Sequence, residues 1–326
     1  MEAIWNLEIN WILAIQTSLI SFAGIMKSIT FLGSEEFFIL VMPILYWCVD
    51  SGAGFRIGII LLLSVHINGI LKVIFHSPRP FWCSQEIKAL STETSFGLPS
   101  GHAMNTASIW GLAAYLFKKP WFAVLSGVLI FLVGFSRLIL GMHFIRDVIS
   151  GWVFGLLLLV IFIKFDQPVT RWILSKKLSS QIWIAIVTTV IIIVSGYLPM
   201  LLAQGAQIPA EWMINAVSSN SDAIPQPYEV SGNFTTAGIL LGFGIGAAWL
   251  GKRGGLAKAG NARNQLLRYV IGVIGIVIFW YGLGAIFPRG EEVLHLLLRL
   301  LRYSLVGLWI SAGAPVIFRI LKLNAI

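Results

Sequence analysis

The amino-acid sequence predicts an all-α protein, a polytopic transmembrane helical bundle of about nine spans. Three observations carry this. Of 326 residues, 57% are hydrophobic and 11% charged, with a mean hydropathy of +0.86, which is far too apolar for a water-covered surface. Several near-uncharged runs approach the roughly 20 apolar residues that a helix needs to cross a bilayer. These runs are continuous, whereas a membrane β-barrel reads as short alternating segments.

In chain order, residues 1–34 come first. Asn6, Glu8, Asn10 and Gln16 stand there among Trp5, Ile9, Trp11 and Ile15, a mixture that predicts a helix lying in the interface. The start, MEAIWNLEINW, has acids where a secretory signal has bases, so it is expected to stay on the protein. A short span over 37–49 follows Glu35 and Glu36. Spans over 57–74, 103–117, 121–140 and 148–163 come next, and spans over 182–203, 234–250, 269–287 and 303–318 complete the set. Gly238, Gly242 and Gly246 recur every fourth residue, a face that admits another helix closely. Ala259 to Asn264 is a basic polar linker between spans. Cys48 and Cys83 fall on opposite sides in this topology and form no disulfide framework.

Loop charges set the orientation. An N-out, C-in arrangement places 14 of the 23 Lys and Arg residues inside, as the positive-inside rule requires. The loop 204–233 carries Glu211, Asp222 and Glu229 without a Lys or Arg, which marks it as external. The net charge of +9 therefore reads as cytoplasmic loops and anionic headgroups, with no nucleic-acid partner.

The charges near the spans cluster in three places, and each needs a partner or a task. Lys72 closes the second span, and Arg79 follows in Lys72-Val-Ile-Phe-His-Ser-Pro-Arg79-Pro80, where the prolines end the helix. Leu98-Pro99-Ser100-Gly101-His102 precedes the third span. Ser100 suits an N-cap, Gly101 allows close backbone approach, and the free N–H groups of a helix start favour an anion. Ser136-Arg137 leads to His143 and Asp147. These last two share a helix face at i and i+4, so the carboxylate can hold one ring nitrogen while the other faces a substrate, as nucleophile or base. All three pieces fall on the outer side. Singly, Lys72 reads as a snorkelling side chain, Ser100 to His102 as a helix cap, and His143 with Asp147 as a buried pair. Together they read as an active site.

Lys72 with six residues before Arg79-Pro80, then Pro99-Ser100-Gly101-His102, then Ser136-Arg137 with His143 and Asp147, resembles the three-part signature of the type 2 phosphatidic acid phosphatase superfamily. The resemblance covers about residues 35–165. It implies a phosphatase core at 35–165, part of a six-helix arrangement, with additional C-terminal transmembrane helices over 166–326. It also implies metal-independent phosphoryl transfer without a cofactor. His143 would attack phosphorus to form a phosphohistidine, Asp147 would orient it, and His102 would protonate the leaving oxygen. Lys72, Arg79, Ser100, Gly101 and Arg137 would hold the phosphate, the three cations supplying the charge of a metal. A neutral His143 beside a protonated His102 predicts a bell-shaped pH profile. His66, His76 and His295 receive no role.

A centre at the interface suits an amphiphile, so the first reading is a lipid phosphatase acting on phosphatidic acid or a polyprenyl (di)phosphate. Its setting would be a bacterial inner membrane, with the site facing the periplasm. A second reading takes the nine spans and the stretch from Pro99 to Met104 followed by Thr106-Ala107 as similar to glucose-6-phosphatases, with 204–233 as a lid over a sugar phosphate. A third is a non-catalytic lipid-binding protein, which the intact His102 and His143 disfavour.

Overall fold

In hydrocarbon a backbone must satisfy its own hydrogen bonds, and helices do so within one segment. The computed structural model describes residues 2–203, 206–220, 222, 224–288 and 290–323, without the side chains of residues 2–5 and 36. Met1, Gln204, Gly205, Ser221, Ala223, Arg289 and residues 324–326 lie outside the described residues, including four positions of the expected external loop. Among the described residues there is no β-strand. The helices are α1 (Glu2–Leu19), α2 (Ala23–Phe31), α3 (Glu35–Ile44), α4 (Ser51–Phe75), α5 (Pro80–Cys83), α6 (Gly101–Phe117), α7 (Pro120–Ile139) and α8 (Ile145–Leu174). They continue with α9 (Leu178–Leu202), α10 (Ala210–Ser219), α11 (Ser231–Gly251), α12 (Ala262–Val277), α13 (Leu283–Ile286), α14 (Val293–Leu308) and α15 (Ala314–Ile320).

Eight helical stretches among the described residues are long and apolar enough to cross a membrane: Asn6–Phe31, Ser51–Cys83, Pro120–Ile139, Ile145–Leu174, Leu178–Leu202, Ser231–Gly251, Ala262–Ile286 and Val293–Ile320. The expected span at 37–49 is the shorter apolar helix Phe37–Val49, and that at 103–117 is the 17-residue α6. The stretch Asn6–Phe31 joins the set by its length and composition, and its polar Glu8 and Gln16 are buried. Glu8 pairs with Arg146 at 3.0 Å. Gln16 donates to the carbonyls of Lys88 (2.9 Å) and Ile139 (3.1 Å) and accepts from the Lys88 N–H at 3.2 Å.

The chain divides into two compact units. The first comprises Met1–Phe38, Leu63–Phe162 and Pro199–Tyr228. Its core gathers Ile12, Phe81, Trp82, Phe96, Met142, Phe144 and Ala216. Helix α10 sits on α5 through polar side chains: the Asn215 amide donates to the Trp82 carbonyl (3.1 Å) and accepts from Gln85 (3.0 Å). Ser219 donates to the Ile87 carbonyl and accepts from the Ala89 N–H, both at 2.9 Å.

The second unit comprises Ile39–Leu62, Ile163–Leu198 and Glu229–Ile326. Tyr46, Trp47, Phe243, Ile276 and Phe318 form one of its cores. Helices α11 and α14 pack backbone to backbone, as the small-residue spacing predicts. A Cβ on Gly242 would collide with the Ser304 carbonyl oxygen, and one on Gly238 would lie 2.6 Å from the Leu300 carbonyl.

Candidate active site

All the residues singled out by the three motifs lie in the first unit. Helix α4 brings Lys72 to its last turn and stops at His76, which has φ 47°. A residue before proline is pushed out of the helical region, and Arg79 is extended at φ −89°, ψ 159°, with Pro80 opening α5. The Arg79 side chain is fully buried, so every N–H needs an acceptor. Nε donates to the Ser95 carbonyl (2.6 Å) and Nη1 to the Met142 carbonyl (3.0 Å). Nη2 donates to the Phe96 carbonyl and Ser95 Oγ, both at 3.2 Å. Lys72 Nζ donates to the same Ser95 Oγ at 2.7 Å.

Ser100 caps α6, its Oγ accepting from the Ala103 N–H at 3.5 Å. Its own N–H donates to the Asp147 carbonyl at 2.8 Å, which ties the starts of α6 and α8 together. Gly101 leaves room for Asn68, since a Cβ there would lie 3.1 Å from Asn68 Oδ1. The Ser100 hydroxyl and Gly101 thus serve the first turn of α6 and its neighbour Asn68. His102 follows, with Nδ1 3.9 Å from Glu93 Oε1.

Arg137, in the last turn of α7, donates to Thr30 Oγ1 (3.0 Å) and Glu93 Oε1 (2.8 Å). The chain then turns at Gly141, whose φ of +70° favours glycine and where a Cβ would lie 2.5 Å from the Lys88 carbonyl. That turn delivers His143, which is buried, to the start of α8. Asp147 Oδ2 accepts from the Phe144 N–H at 2.9 Å and lies 3.4 Å from His143 Nδ1, a long contact. On the other side of the ring, Nε2 faces Arg79 Nη1 at 3.2 Å. A guanidinium can only donate, so Nε2 is the acceptor and Nδ1 carries the proton toward Asp147. Burial, then the charges of Arg79, Arg137 and Lys72, push the His143 imidazole well below its ordinary value. It is therefore neutral near pH 7, with the Nε2 lone pair unprotonated and turned toward Arg79.

The structure brings Lys72, Arg79, His102, Arg137, His143 and Asp147 into one cluster. It adds Glu93, Ser95 and Thr30, which the sequence reading missed. Glu93 pairs with Arg79 through Oε2 at 3.3 Å and with Arg137 through Oε1 at 2.8 Å. Burial alone would raise its carboxyl, but Arg79, Arg137 and Lys72 outweigh that and hold it far below the usual carboxylate range. The available signal was the polar run Ser91-Thr92-Glu93-Thr94-Ser95 between two motifs. His76 packs against Phe96 and Tyr228 with ring centroids 5.1 and 5.9 Å away. Beside it is a cavity of about 490 Å³ whose lining includes His76, Phe96, Ile208, Pro209, Trp212 and Tyr228.

A membrane-spanning helical chain whose buried cations converge on two histidines belongs, as a class, to the membrane proteins that handle anions. Comparison with known proteins makes this specific. Residues 53–171 match the PAP2 superfamily, and residues 234–325 match the PAP2 superfamily phosphatase, transmembrane extension. The chain is 33% identical over 167 residues to phosphatidylglycerophosphatase B of Bacillus subtilis (strain 168), covering 45% of this chain and 77% of that one. It is 25% identical over 169 residues to lipid phosphate phosphatase delta of Arabidopsis thaliana, covering 47% of this chain and 40% of that one. A crystal structure of a transmembrane PAP2-type phosphatidylglycerolphosphate phosphatase from Bacillus subtilis has 26% sequence identity, covers 52% of this chain and 88% of its own, and gives a TM-score of 0.43. The chain belongs to the PAP2 superfamily, as an integral membrane protein of this phosphatase family.

Proposed function

We propose that this protein hydrolyses a lipid phosphate, phosphatidic acid or a polyprenyl (di)phosphate, through a phosphohistidine. The observation that carries the reading is the orientation of His143, whose Nδ1 faces Asp147 and whose Nε2 lone pair faces Arg79, one of the three clustered cations. Nε2 attacks phosphorus, the N–P bond forms, and the P–O bond to the lipid breaks. His102 gives its proton to the leaving oxygen, then accepts one from the water that cleaves the N–P bond and releases inorganic phosphate. Lys72, Arg79 and Arg137 hold the phosphoryl oxygens, with the α6 start at Ser100 and Gly101 beside them.

The site is assigned to the non-cytoplasmic side. The acid-only stretch after α9 packs on the loop that carries Glu93: Asn220 Nδ2 donates to the Ser91 carbonyl (3.3 Å) and the Gln226 N–H to the Thr94 carbonyl (2.8 Å). The positive-inside rule places that stretch outside, and the site goes with it. The additional helices, which in the sequence suggested a sugar phosphate enzyme, match the family's transmembrane extension. The apolar, aromatic lining of the cavity beside His76 suits a lipid better than a sugar. The test is phosphate release by detergent-purified protein, without added metal, from phosphatidic acid, an isoprenyl diphosphate and glucose 6-phosphate, with His143→Ala as blank. Release from a lipid that the blank abolishes is expected. Preference for the sugar phosphate, or no release above the blank, sinks the reading.

A further inference from the structure

Arg79 and Arg137 are the two guanidiniums of the proposed phosphate site, and one carboxylate sits across both. Glu93 Oε2 lies 3.3 Å from Arg79 Nη2, and Oε1 lies 2.8 Å from Arg137 Nη2 and 3.9 Å from His102 Nδ1. Two oxygens on one planar group thus take donors that two oxygens of a phosphate would take. The Arg79 and Arg137 side chains are buried at 0% and 1% exposure, whereas that of Glu93 is 23% exposed. Of the three ion-paired side chains, Glu93 is the one that reaches the surface.

The loop does not need this side chain to stay in place. Its backbone is held independently at Ile87 by Ser219, at Lys88 by Gln16, at Ser91 by Asn220 and at Thr94 by the Gln226 N–H. Glu93 can therefore leave by rotating about its own side-chain bonds. A carboxylate fixed among bound phosphate oxygens would repel them. Phosphate and the inward-turned Glu93 are mutually exclusive.

We propose that Glu93 is a resident anion of the phosphate site, swinging out to admit substrate and returning to expel inorganic phosphate, and so a residue that sets the site's affinity for phosphate. The inference rests on the reading of Lys72, Arg79 and Arg137 as the phosphate site. Three buried cations without a competitor would retain the product. With the carboxylate in reserve, every phosphate that binds must first displace an internal ligand.

The experiment titrates inorganic phosphate against the full-length protein in detergent by calorimetry, and measures phosphate as a product inhibitor. Glu93→Gln keeps the shape and removes the charge, and it should bind phosphate about tenfold more tightly or better. Glu93→Asp draws the carboxylate back by one methylene and should tighten binding by less, so it decides the matter if the Gln variant does not fold. Arg137→Gln should weaken binding in the otherwise unaltered protein. If the unaltered protein binds phosphate and the Glu93 variants bind it equally or more weakly, the proposal is overturned while the site stands. If neither the unaltered protein nor any variant binds phosphate, the site reading falls and the proposal with it.

Discussion

Replacing Asp147 by Asn removes one charge at a position where the structure assigns the His143 tautomer. Asp147 Oδ2 faces His143 Nδ1 at 3.4 Å and already accepts the Phe144 N–H at 2.9 Å. In Asp147→Asn an amide oxygen in the Oδ2 position can keep both contacts, with the NH₂ group in the Oδ1 position, so the Nδ1–H tautomer is retained and the charge alone is lost. That charge supports the imidazolium that develops as Nε2 attacks. The lost charge-assisted bond to it costs about 1.5–3 kcal/mol. At about 1.4 kcal/mol per tenfold, kcat should fall roughly 10- to 10²-fold. The assay is steady-state hydrolysis of short-chain phosphatidic acid in detergent, paired with phosphate binding by calorimetry. Binding should change less than about threefold, because Lys72, Arg79 and Arg137 are untouched. A kcat within about threefold of the unaltered protein would refute the argument that the Asp147 charge supports the developing imidazolium.

Other consequences can be checked independently. His143 must be neutral to attack, and its imidazole is held well below its ordinary value. Protonation of His143 should therefore switch activity off only on the acid side of about 6.5; an acid limb of kcat/KM with its midpoint at or above that pH contradicts the burial of this ring. Gly242→Val inserts atoms where a Cβ already collides with the Ser304 carbonyl and should cost about 3 kcal/mol or prevent assembly. Gly251→Ala, with open space around it, should leave the melting temperature in detergent unchanged, and equal behaviour of the two variants would count against the α11–α14 contact. Asn215→Leu deprives the Trp82 carbonyl and Gln85 of a buried partner, at about 1–3 kcal/mol. Limited proteolysis within 203–228 should accelerate, and unchanged protection would mean that α10 is held by its apolar contacts alone.

The helical architecture was legible because hydrocarbon leaves a chain few choices, and long uncharged runs record them directly. What the sequence could not say was which polar residues face inward. Glu8 and Gln16 read as the wet side of an interfacial helix, yet each is buried on a partner far along the chain: Arg146 for Glu8, and Lys88 and Ile139 for Gln16. A polar residue with a distant internal partner and one facing water look alike in a hydropathy pattern. The three motifs, by contrast, were legible as a site because each was locally odd: cations at span ends, a cap before a helix, a histidine one turn before an acid. His102, Arg137, His143 and Asp147 do come together. The Ser100 hydroxyl and Gly101 are engaged at the α6 start, where the cap chemistry read from the sequence is fulfilled.

Glu93 escaped because a lone acid in a loop usually means solvent. A charge argument could nonetheless have nominated it. Three cations buried near one surface need a counter-charge whenever no substrate supplies it, and the stretch between the first two motifs holds just two acids, Glu86 and Glu93. Glu86 is exposed. Glu93 stands two residues before Ser95, the residue whose backbone and side chain anchor both Arg79 and Lys72. Whatever fixes Ser95 against the cations carries Glu93 to them as well, so the loop that assembles the anion site also brings an anion into it.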